Sequence, residues 1–545
     1  MNNKYLNETV FQHLLKISIE LSSEENTEIL MEKVLIAAMT ISNADAGSIY
    51  MVDQDKNAEF RTVLNNSLNL HLGGSSNNPI TFPSIPLFID GQPNKSAMIA
   101  HAINSTKVIN IKDVYDELPY DLSAARKMDK DTGYRTQSML TFPLKDHIGD
   151  IIGAIQIINA QENNDQGEPV TVEFTPEVEE QILSFASLGA IALTNKALIK
   201  NMEELFESFA QTIAAVIDEK SPHTGGHCKR VPELTLLIAD AVHDEDKGPL
   251  ASFTLTPQER HQLDIAGWLH DCGKIVTPDH IIDKSTKLET IFDRIHFIDS
   301  KFEIAKRDID IRFQKSMIKA LKKGNIIEVQ QLERASDVAH KQLNLDRAFI
   351  QKINIGGEFL TDQQEQHIKE IAARYSIVIN REKQSLLTED EVTNLCIKRG
   401  TLNDKERLII QHHMDVTSDI LEALPFPKHL SNVAEYALGH HETMDGKGYP
   451  KGLTKEQMSV PARLMAVADI FEALSASDRP YKKAKPVSEC LTIMGKLVLN
   501  NHLDGDIFTI FVRSKVYETY ILKFATPEQL DDFNIEDIPG LSHYN

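Results

Sequence analysis

The amino-acid sequence predicts a multidomain protein with three parts. They are an N-terminal α/β sandwich on an antiparallel sheet, a long connecting helix and an all-α C-terminal domain with a helical insertion. Strand-like apolar runs alternate with turns in residues 1–175, a heptad repeat crosses residues 176–220, and residues 221–545 are patterned almost wholly as helix. At roughly 100–200 residues per domain, 545 residues allow three to four such units.

The first predicted domain, residues 1–175, opens with helical spacing of apolar residues over 11–42. Strands are predicted where short runs rich in Ile and Val stand between turns rich in Asn, Asp and Gly. These runs are 47–52, 107–111, 138–142 and 151–158. Together with turns such as 146–150, these runs favour an α/β sandwich on an antiparallel sheet.

A single long helix is predicted over residues 177–220. Positions spaced alternately by four and three residues form the a/d seam of a coiled coil. The eight seam residues are Ile191, Asn195, Leu198, Met202, Leu205, Phe209, Thr212 and Val216. One interpretation is a helix packed on its own domain. We favour a parallel dimer stalk, because the repeat lies on a predicted domain junction.

The C-terminal domain, residues 221–545, carries a predicted insertion at about 285–398. The insertion is rich in Lys, Glu and Gln, with helix-forming segments at 288–321 and 325–343. It contains no His/Asp cluster, so we expect it to contribute no metal ligand. It would instead cap the mouth of a site or contact a partner.

The composition argues against several classes of protein. Lys and Arg number 57 and Asp and Glu number 80, giving a net charge of −23, whereas nucleic-acid polymers and polybasic membrane binding need a basic surface. The four cysteines form no CxxC pair, which indicates a reducing compartment. Residues 1–16 lack the features of a signal peptide, and the apolar stretch 182–199 is interrupted by polar residues. We therefore expect a cytoplasmic protein without membrane insertion.

Residues suited to metal chemistry are concentrated in five short clusters, 226–231, 270–274, 412–413, 440–450 and 467–469. His and Asp together suit ions such as Fe, Mn or Zn. Taken singly, most histidines are surface or satisfied core residues. Asp469 argues against that interpretation, because it lies in a segment, 462–474, that is apolar on nearly every face. A buried carboxylate needs a cation or several donors; Arg463 is one candidate partner, and a metal is the better one.

Together these clusters resemble the HD-domain metal-dependent phosphohydrolases. His270-Asp271, with His227 before it and Asp469 after it, carries that resemblance. The run HHETMDGKGYP at 440–450 resembles the signature of the HD-GYP subfamily, the cyclic di-GMP phosphodiesterases. The similarity extends through Asp279, 461–463, 466–469 and 478–482. A loop that family members keep short is split here, with its ends at 284–288 and 398–402.

The resemblance implies a site for two divalent metal ions, Fe or Mn. The implied ligands of the first ion are His227, His270, Asp271 and Asp469, with Asp271 bridging to the second ion, which His413, His440 and His441 would hold. His413 is chosen over His412 by its spacing from 420–421, although the family commonly has Gly at the position of Thr417.

The same resemblance implies the reaction and its substrate contacts. Asp271 and Lys274 would be catalytic, Lys274, Arg479 and Lys482 would bind phosphate, and Tyr449 would shape the nucleotide pocket. Two metals activate and orient a water for attack on a phosphodiester. The implied product of cyclic di-GMP is linear pGpG, with GMP as a further step. Two alternatives stay open: a phosphodiesterase for the mixed cyclic GMP-AMP dinucleotide, and a cyclic-dinucleotide receptor that signals through protein contacts.

His223 raises the question of a third metal. Some family members have a metal-binding carboxylate at this position, and a neutral imidazole can also ligate. The alternative is a solvent-facing histidine beside the flexible Gly225-Gly226 turn.

The N-terminal region resembles a GAF domain, through DTGYRTQS at 131–138, Pro143-Leu144, Gly149 and 152–160. The resemblance implies a sensor that regulates the C-terminal enzyme through the connecting helix. GAF domains bind very different small molecules or none, so the identity of a small ligand stays open.

Overall fold

The structure is a computed structural model. It describes residues 24, 26–116, 120, 122–220, 226–356, 359–476 and 484–542. Residues 11–23 of the predicted helical segment 11–42, and the candidate residues His223, Arg479 and Lys482, lie outside the described residues. The chain divides into two units, Met1–Leu205 and Phe206–Asn545, and each is described by itself.

The first unit is built on an antiparallel sheet of order β3-β2-β1-β9-β8-β7, with β4 added beside β2 and β10 beside β9. Its strands are β1 (Ala44–Val52), β2 (Asn57–Asn65), β3 (Leu70–Gly73), β4 (Ile85–Pro86), the small pair β5 (Phe88–Ile89) and β6 (Gln92–Pro93), β7 (Ile109–Ile111), β8 (Met139–Lys145), β9 (Ile151–Asn163) and β10 (Pro169–Val172). Its short helices are α1 (Thr27–Ser42), α2 (Met98–Ser105) and α3 (Ser123–Thr132). The predicted antiparallel α/β sandwich is confirmed, and all four predicted runs overlap strands.

Alternation along the strands gives this sheet two apolar faces. Ile49 and Ile155 pack with α1 in one core. Their sequence neighbours Tyr50 and Ala154 pack with α2 in another. The sheet is therefore covered by helices on both faces.

The helix α4 (Pro176–Lys220) is continuous over 45 residues, as predicted. Its beginning contributes Ile182 and Phe185 to the core of the first unit, and its end contributes Ala214 and Ile217 to the core of the second. All eight seam residues are exposed; Met202 and Leu205 are 63% and 69% exposed. The face that packs within each unit is therefore not the heptad seam.

Among the described residues, α4 is the one helix long and apolar enough to cross a membrane by length and composition, and 39% of its most apolar window is buried. A single helix of this kind is weak evidence for a membrane span, because core helices of soluble proteins meet the same criteria.

The second unit is helical around its core, as predicted. The helices outside the insertion are α5 (His227–His243), α6 (Pro257–Leu269), α7 (Asp279–Ile282), α12 (Asp404–Ala423), α13 (Val433–Leu438), α14 (Val460–Ser475), α15 (Val487–Leu499), α16 (Gly505–Arg513) and α17 (Val516–Phe524). Those of the insertion are α8 (Ile295–Lys322), α9 (Ile326–Asn354), α10 (Asp362–Arg374) and α11 (Glu389–Leu395). The main core is formed by α5, α6 and α14–α17 together with parts of α12 and α13.

The insertion has a separate core, which includes Leu288, Phe302, Ile350 and Ile368. It is not wholly helical, which corrects the prediction: β11 (Ser376–Ile379) and β12 (Glu382–Ser385) form a hairpin. Asn380 and Arg381 both have positive φ at its turn, the backbone that two-residue hairpin turns require.

The two ends of the insertion lie against each other. Thr401 Oγ1 donates to the carbonyl of Lys284 at 2.9 Å. Lys287 Nζ is buried and donates to the carbonyls of Leu395 and Ile397 at 3.1 and 2.8 Å. The two segments of the split loop are therefore adjacent in space although more than a hundred residues separate them.

Candidate metal centre

The metal-ligand candidates come from five places in the second unit. They are His227 at the start of α5, His270 and Asp271 at the end of α6, His413 within α12, His440 and His441 after α13, and Asp469 within α14.

Local sequence signals position the central pair. Thr256 and Glu259 form a capping box with Pro257 in the first turn, so α6 has a defined start. His270 ends this helix, and Asp271 opens a short 3₁₀ turn, 272–276. A side chain at Gly273 would stand 1.9 Å from the carbonyl oxygen of His413. Glycine is therefore required there for α12 to approach the turn.

Asp271 lies at the centre of the group, and each of its oxygens faces different histidines. Oδ2 is 3.3 Å from Nε2 of His227 and 3.3 Å from Nε2 of His270. Oδ1 is 3.3 Å from Nε2 of His413 and 4.0 Å from Nε2 of His440. One carboxylate thus stands between two sets of imidazoles.

The two remaining candidates complete these sets. Asp469 Oδ1 is 3.4 Å from Nε2 of His227. His441 offers a ring nitrogen that lies within 4.8 Å of ligand atoms on Asp271, His413 and His440. The structure therefore brings together all seven predicted ligands that fall within the described residues.

The histidine tautomers are fixed in a way that suits metal binding. Nδ1 of His270 bonds to the carbonyl of Gly267 at 2.7 Å, Nδ1 of His440 to that of Ala437 at 2.6 Å, and Nδ1 of His413 to that of Ile410. An Nδ1–H that donates to a carbonyl leaves Nε2 as a lone pair. Within the described part of the chain these Nε2 atoms, together with Nε2 of His227 and Oδ1 of Asp271, are buried without a hydrogen-bond partner. Buried polar atoms are nearly always satisfied, so this convergence fits metal ions.

The protonation of the histidines differs between the two sides of Asp271. Burial and His270 lower the pKa of His440 to about 4, and burial and His440 hold the pKa of His441 well below its usual range. Both imidazoles are therefore neutral, the form that binds metals. Burial would lower the pKa of His227 as well, but the carboxylates around it, Glu472 foremost, raise its pKa to about 10.

Two carboxylates that the sequence analysis missed support the site. Glu472 is buried and bonds to Nδ1 of His227 at 2.6 Å and to Nε of Arg230 at 2.7 Å. Glu442 is buried and accepts the backbone N–H groups of Lys451, Gly452 and Leu453 at 2.7–3.1 Å. Glu472 stands three residues after Asp469 in the same apolar helix, so the argument that identified Asp469 applied to it equally.

The structure also decides between individual candidates. His412 is exposed and lies 3.0 Å from Asp415, whereas His413 is buried in the cluster. Arg463 as a partner for Asp469 is wrong, because Arg463 pairs with the buried Asp504. The Thr417 hydroxyl accepts the N–H of Gly273 at 3.0 Å.

Two predicted substrate contacts border the cluster. Lys274 Nζ contacts Oδ2 of Asp271. Burial would lower the pKa of Lys274, but Asp271 and Asp469 outweigh it, so the pKa is raised and the side chain is charged. The Tyr449 ring stacks on His441 with centroids 4.8 Å apart. A cation and an aromatic ring therefore line the approach to the candidate metal centre.

The first unit contains a second candidate site, a cavity of about 360 Å³ on the face of the sheet opposite α1. Its lining is mostly apolar and includes Tyr50, Phe60, Met98 and Met139. The one charged residue among its described lining residues is Asp129. Its oxygens accept bonds from Tyr115 OH and from the N–H and hydroxyl of Thr136, at 2.7–2.9 Å.

Known protein families match three segments of the chain. The GAF domain family matches residues 26–193, and two HD domain families match residues 224–343 and 388–507.

Several curated proteins are similar to part of this chain. A 3'3'-cGAMP-specific phosphodiesterase of Vibrio cholerae is 37% identical over 129 residues, covering 24% of this chain and 28% of its own length. A cyclic di-GMP phosphodiesterase of Pseudomonas aeruginosa is 38% identical over 117 residues, covering 22% and 27%. One of Thermotoga maritima is 38% identical over 107 residues, covering 19% and 28%. The chain thus spans about a quarter of the length of the curated relatives it matches.

Solved structures that match include the GAF domain of an Acinetobacter phosphoenolpyruvate-protein phosphotransferase. It is 11% identical, covers 35% of this chain and 96% of its own, and has a TM-score of 0.25.

The chain therefore has a GAF domain followed by an HD domain region. Relatives that match part of the chain are named cyclic di-GMP and 3'3'-cGAMP phosphodiesterases.

Proposed function

We propose that the chain is a metal-dependent phosphodiesterase that hydrolyses a cyclic dinucleotide, cyclic di-GMP first, to linear pGpG and onward to GMP. The observation that carries the proposal is the set of unpartnered Nε2 atoms that converge on the two oxygens of Asp271. The names of the relatives support a cyclic dinucleotide as the substrate.

The proposed metal ligands follow the two oxygens of Asp271. His227, His270 and Asp469 hold one ion on the Oδ2 side, and His413, His440 and His441 hold the other on the Oδ1 side, with Asp271 shared. Fe or Mn is the proposed identity, because imidazole and carboxylate together suit these ions. Such a pair supplies an activated water and polarises the phosphodiester when it is bound. His223 remains the proposed ligand of a third ion.

The side chains around the cluster bind and orient the substrate. Lys274 presents a charged ammonium that can bind a phosphoryl oxygen. Tyr449 offers an aromatic face to a nucleotide base, and Glu442 holds the backbone that follows Tyr449. Arg479 and Lys482 stay proposed phosphate-binding residues.

The test compares adjacent histidines in the full chain loaded with Mn²⁺ or Fe²⁺. His413→Ala should lower turnover of cyclic di-GMP by at least about 100-fold, since it removes a ligand. His412→Ala should stay within about 2-fold, because that side chain is exposed. Metal content measured on the same samples should fall in the first variant alone. Full turnover in Asp271→Ala would overturn the proposal.

The same assay decides between the alternatives. Faster hydrolysis of 3'3'-cGAMP would identify the mixed dinucleotide as the substrate, a choice that the names of two relatives favour. Binding without hydrolysis in the metal-loaded chain would instead indicate a receptor.

We propose that the GAF domain regulates this activity and takes a small, uncharged and mostly apolar ligand. The support is the mostly apolar cavity, in which the carboxylate of Asp129 already accepts three hydrogen bonds from Tyr115 and Thr136. The neutral dye N-phenyl-1-naphthylamine should bind the full chain, and cyclic AMP should not displace it. Ala125→Phe, in the cavity wall, should weaken dye binding, whereas Lys127→Phe on the same helix should not. Displacement by cyclic AMP would refute a neutral ligand.

The organisation of the whole chain follows from these assignments. We propose a sensor domain over 1–175, a connecting helix over 176–220 and the phosphodiesterase domain over 221–545, with its insertion at about 285–398. The exposed heptad seam supports a homodimer through α4. The four free cysteines support a cytoplasmic location.

A further inference from the structure

The last turn of α4 is bonded to the short turn that follows His270 and Asp271. Lys220 Nζ donates to the carbonyl of Thr277 at 2.8 Å, to that of Lys274 at 3.4 Å and to that of Ile275. Three carbonyls at the end of the 3₁₀ turn therefore converge on one ammonium group. The carbonyl end of a helical turn carries partial negative charge, which a cation stabilises.

The same turn of α4 also holds the start of α5. Asp218 Oδ2 accepts the N–H of Gly226 at 2.9 Å, and Oδ1 lies 3.4 Å from the N–H of Cys228. Gly226 is the N-cap of α5 and has no side chain that could cap it. Asp218 therefore supplies the acceptor that this helix end lacks. The two N–H groups that it faces belong to the residues immediately before and after His227.

The first half of the turn that Lys220 binds is held by α12, because the N–H of Gly273 donates to the Thr417 hydroxyl at 3.0 Å and Cys272 is buried. The second half is packed less tightly. Ile275 and Val276 are 47% and 53% exposed, so packing of their side chains does little to place this backbone. Lys220 itself is 24% exposed and lies 3.7 Å from Asp279. The bonds from Lys220 are thus a main restraint on the second half of the turn, 274–277, which follows Asp271.

We propose that Lys220 and Asp218 are positioning residues for the candidate metal centre. Through them, the last turn of α4 sets where His227 and the segment 270–274 stand relative to each other. Because α4 is one continuous helix from Pro176, a rotation or shift of its last turn moves both segments. The consequence for turnover rests on the proposed function, whereas the consequence for metal affinity does not.

The test measures Mn²⁺ affinity by titration calorimetry, and kcat and KM for cyclic di-GMP, in the full chain. Lys220→Gln should weaken Mn²⁺ binding by about 10-fold or more, as loss of an orienting group does. It should lower kcat by a similar factor while KM stays within about 2-fold. Lys220→Arg, which keeps the charge and several donors, should restore both to within about 3-fold of wild type. Glu219→Gln, exposed in the same turn, should match wild type.

If circular dichroism shows that Lys220→Gln does not fold, the Mn²⁺ affinity of Asp218→Asn tests the inference instead. Weaker Mn²⁺ binding is expected from that variant too. Wild-type affinity in the folded Lys220→Gln protein, or an equal loss in Glu219→Gln, would overturn the inference. A wild-type chain that binds Mn²⁺ but hydrolyses no cyclic dinucleotide would refute the proposed function, and the affinity series would still test Lys220.

Discussion

Glu472 controls the charge balance on one side of the candidate metal centre. Burial would raise its pKa, but His227 and Arg230 outweigh this and lower it from 4.5 to about 2. The carboxylate is thus ionised and fixes the ring of His227 through Nδ1. A carboxylate behind a ligating histidine orients the ring and raises its basicity.

Glu472→Gln should weaken metal binding by about 10- to 100-fold. It should destabilise the metal-free protein by about 1–3 kcal/mol, because the buried His227 and the partly buried Arg230 lose a charged acceptor. Metal titration and urea unfolding measure the two effects. The control Glu536→Gln removes a carboxylate from an exposed pair with Arg513 and should change stability by less than about 0.5 kcal/mol.

The pH dependence of this contribution has a definite sign. The folded pKa of Glu472 is depressed, so its stabilisation is complete above 4.5 and is lost as pH falls towards about 2. The stability difference between wild type and Glu472→Gln should therefore shrink over that window. A difference that stays constant from pH 6 to pH 2 would contradict this account.

Asp264 is a carboxylate whose ionisation opposes folding. Burial, followed by repulsion from Glu207, raises its pKa above 3.8. The folded state then binds the proton more tightly than the unfolded state, so ionisation costs stability as pH rises. Asp264→Asn should raise the melting temperature at pH 7, and the gain should vanish below pH 3.8. The exposed control Asp246→Asn should show no such pH-dependent gain, and a lower melting temperature for Asp264→Asn at pH 7 would contradict the prediction.

At the scale of single residues, the sequence predicted which ligand candidates come together but not every side chain that surrounds them. His227, Asp271 and Asp469 are far apart in the chain, and their motif order alone indicated a common site. Glu472 was within reach of the same argument. The pairing of Arg463 with Asp504 was not, because it depends on how α14 packs against the start of α16, which no local pattern specifies.

Among the elements, long periodic segments were predicted well and short strands were not. The helix α4 was placed to within one residue, because its heptad pattern continues over many turns. The strands β2–β6 and β10 and the hairpin β11–β12 were missed. All but β2 have four residues or fewer, and their pairing depends on partners outside the local sequence.

The insertion should be dispensable for metal binding. None of the clustered ligand candidates comes from its described residues, and its core is separate from the main core. Its ends already touch through Thr401 and Lys284. Replacing residues 288–396 by a short Gly-Ser linker should leave the metal content of the purified protein unchanged.

The full chain, purified in parallel, is the control for that deletion. Elemental analysis of both proteins gives the metal-to-protein ratio. A soluble, helical deletion variant without bound metal would show that the insertion does contribute to the centre.

At the scale of the whole molecule, the exposed seam of α4 is an apolar surface that calls for a partner. Six large apolar side chains of the seam are 39–69% exposed on one face of a single helix. Contiguous exposed apolar surface of this kind marks an interaction site. Its a/d spacing matches a second copy of the same helix, because parallel coiled coils bury this stripe against itself. Asn195 and Thr212 lie within the stripe, where polar residues fix the register of such pairs.

Charges placed on the seam should therefore dissociate the protein. Met202→Glu and Phe209→Glu each bury a carboxylate against its copy in a parallel dimer, which costs several kcal/mol by desolvation and repulsion. Each variant should run as a monomer in light scattering at concentrations where wild type is a dimer. Gln211→Glu adds the same charge at an exposed position outside the seam and should stay dimeric. A wild-type chain that is monomeric at high concentration would refute the stalk, and the exposed face of α4 would then await a different partner.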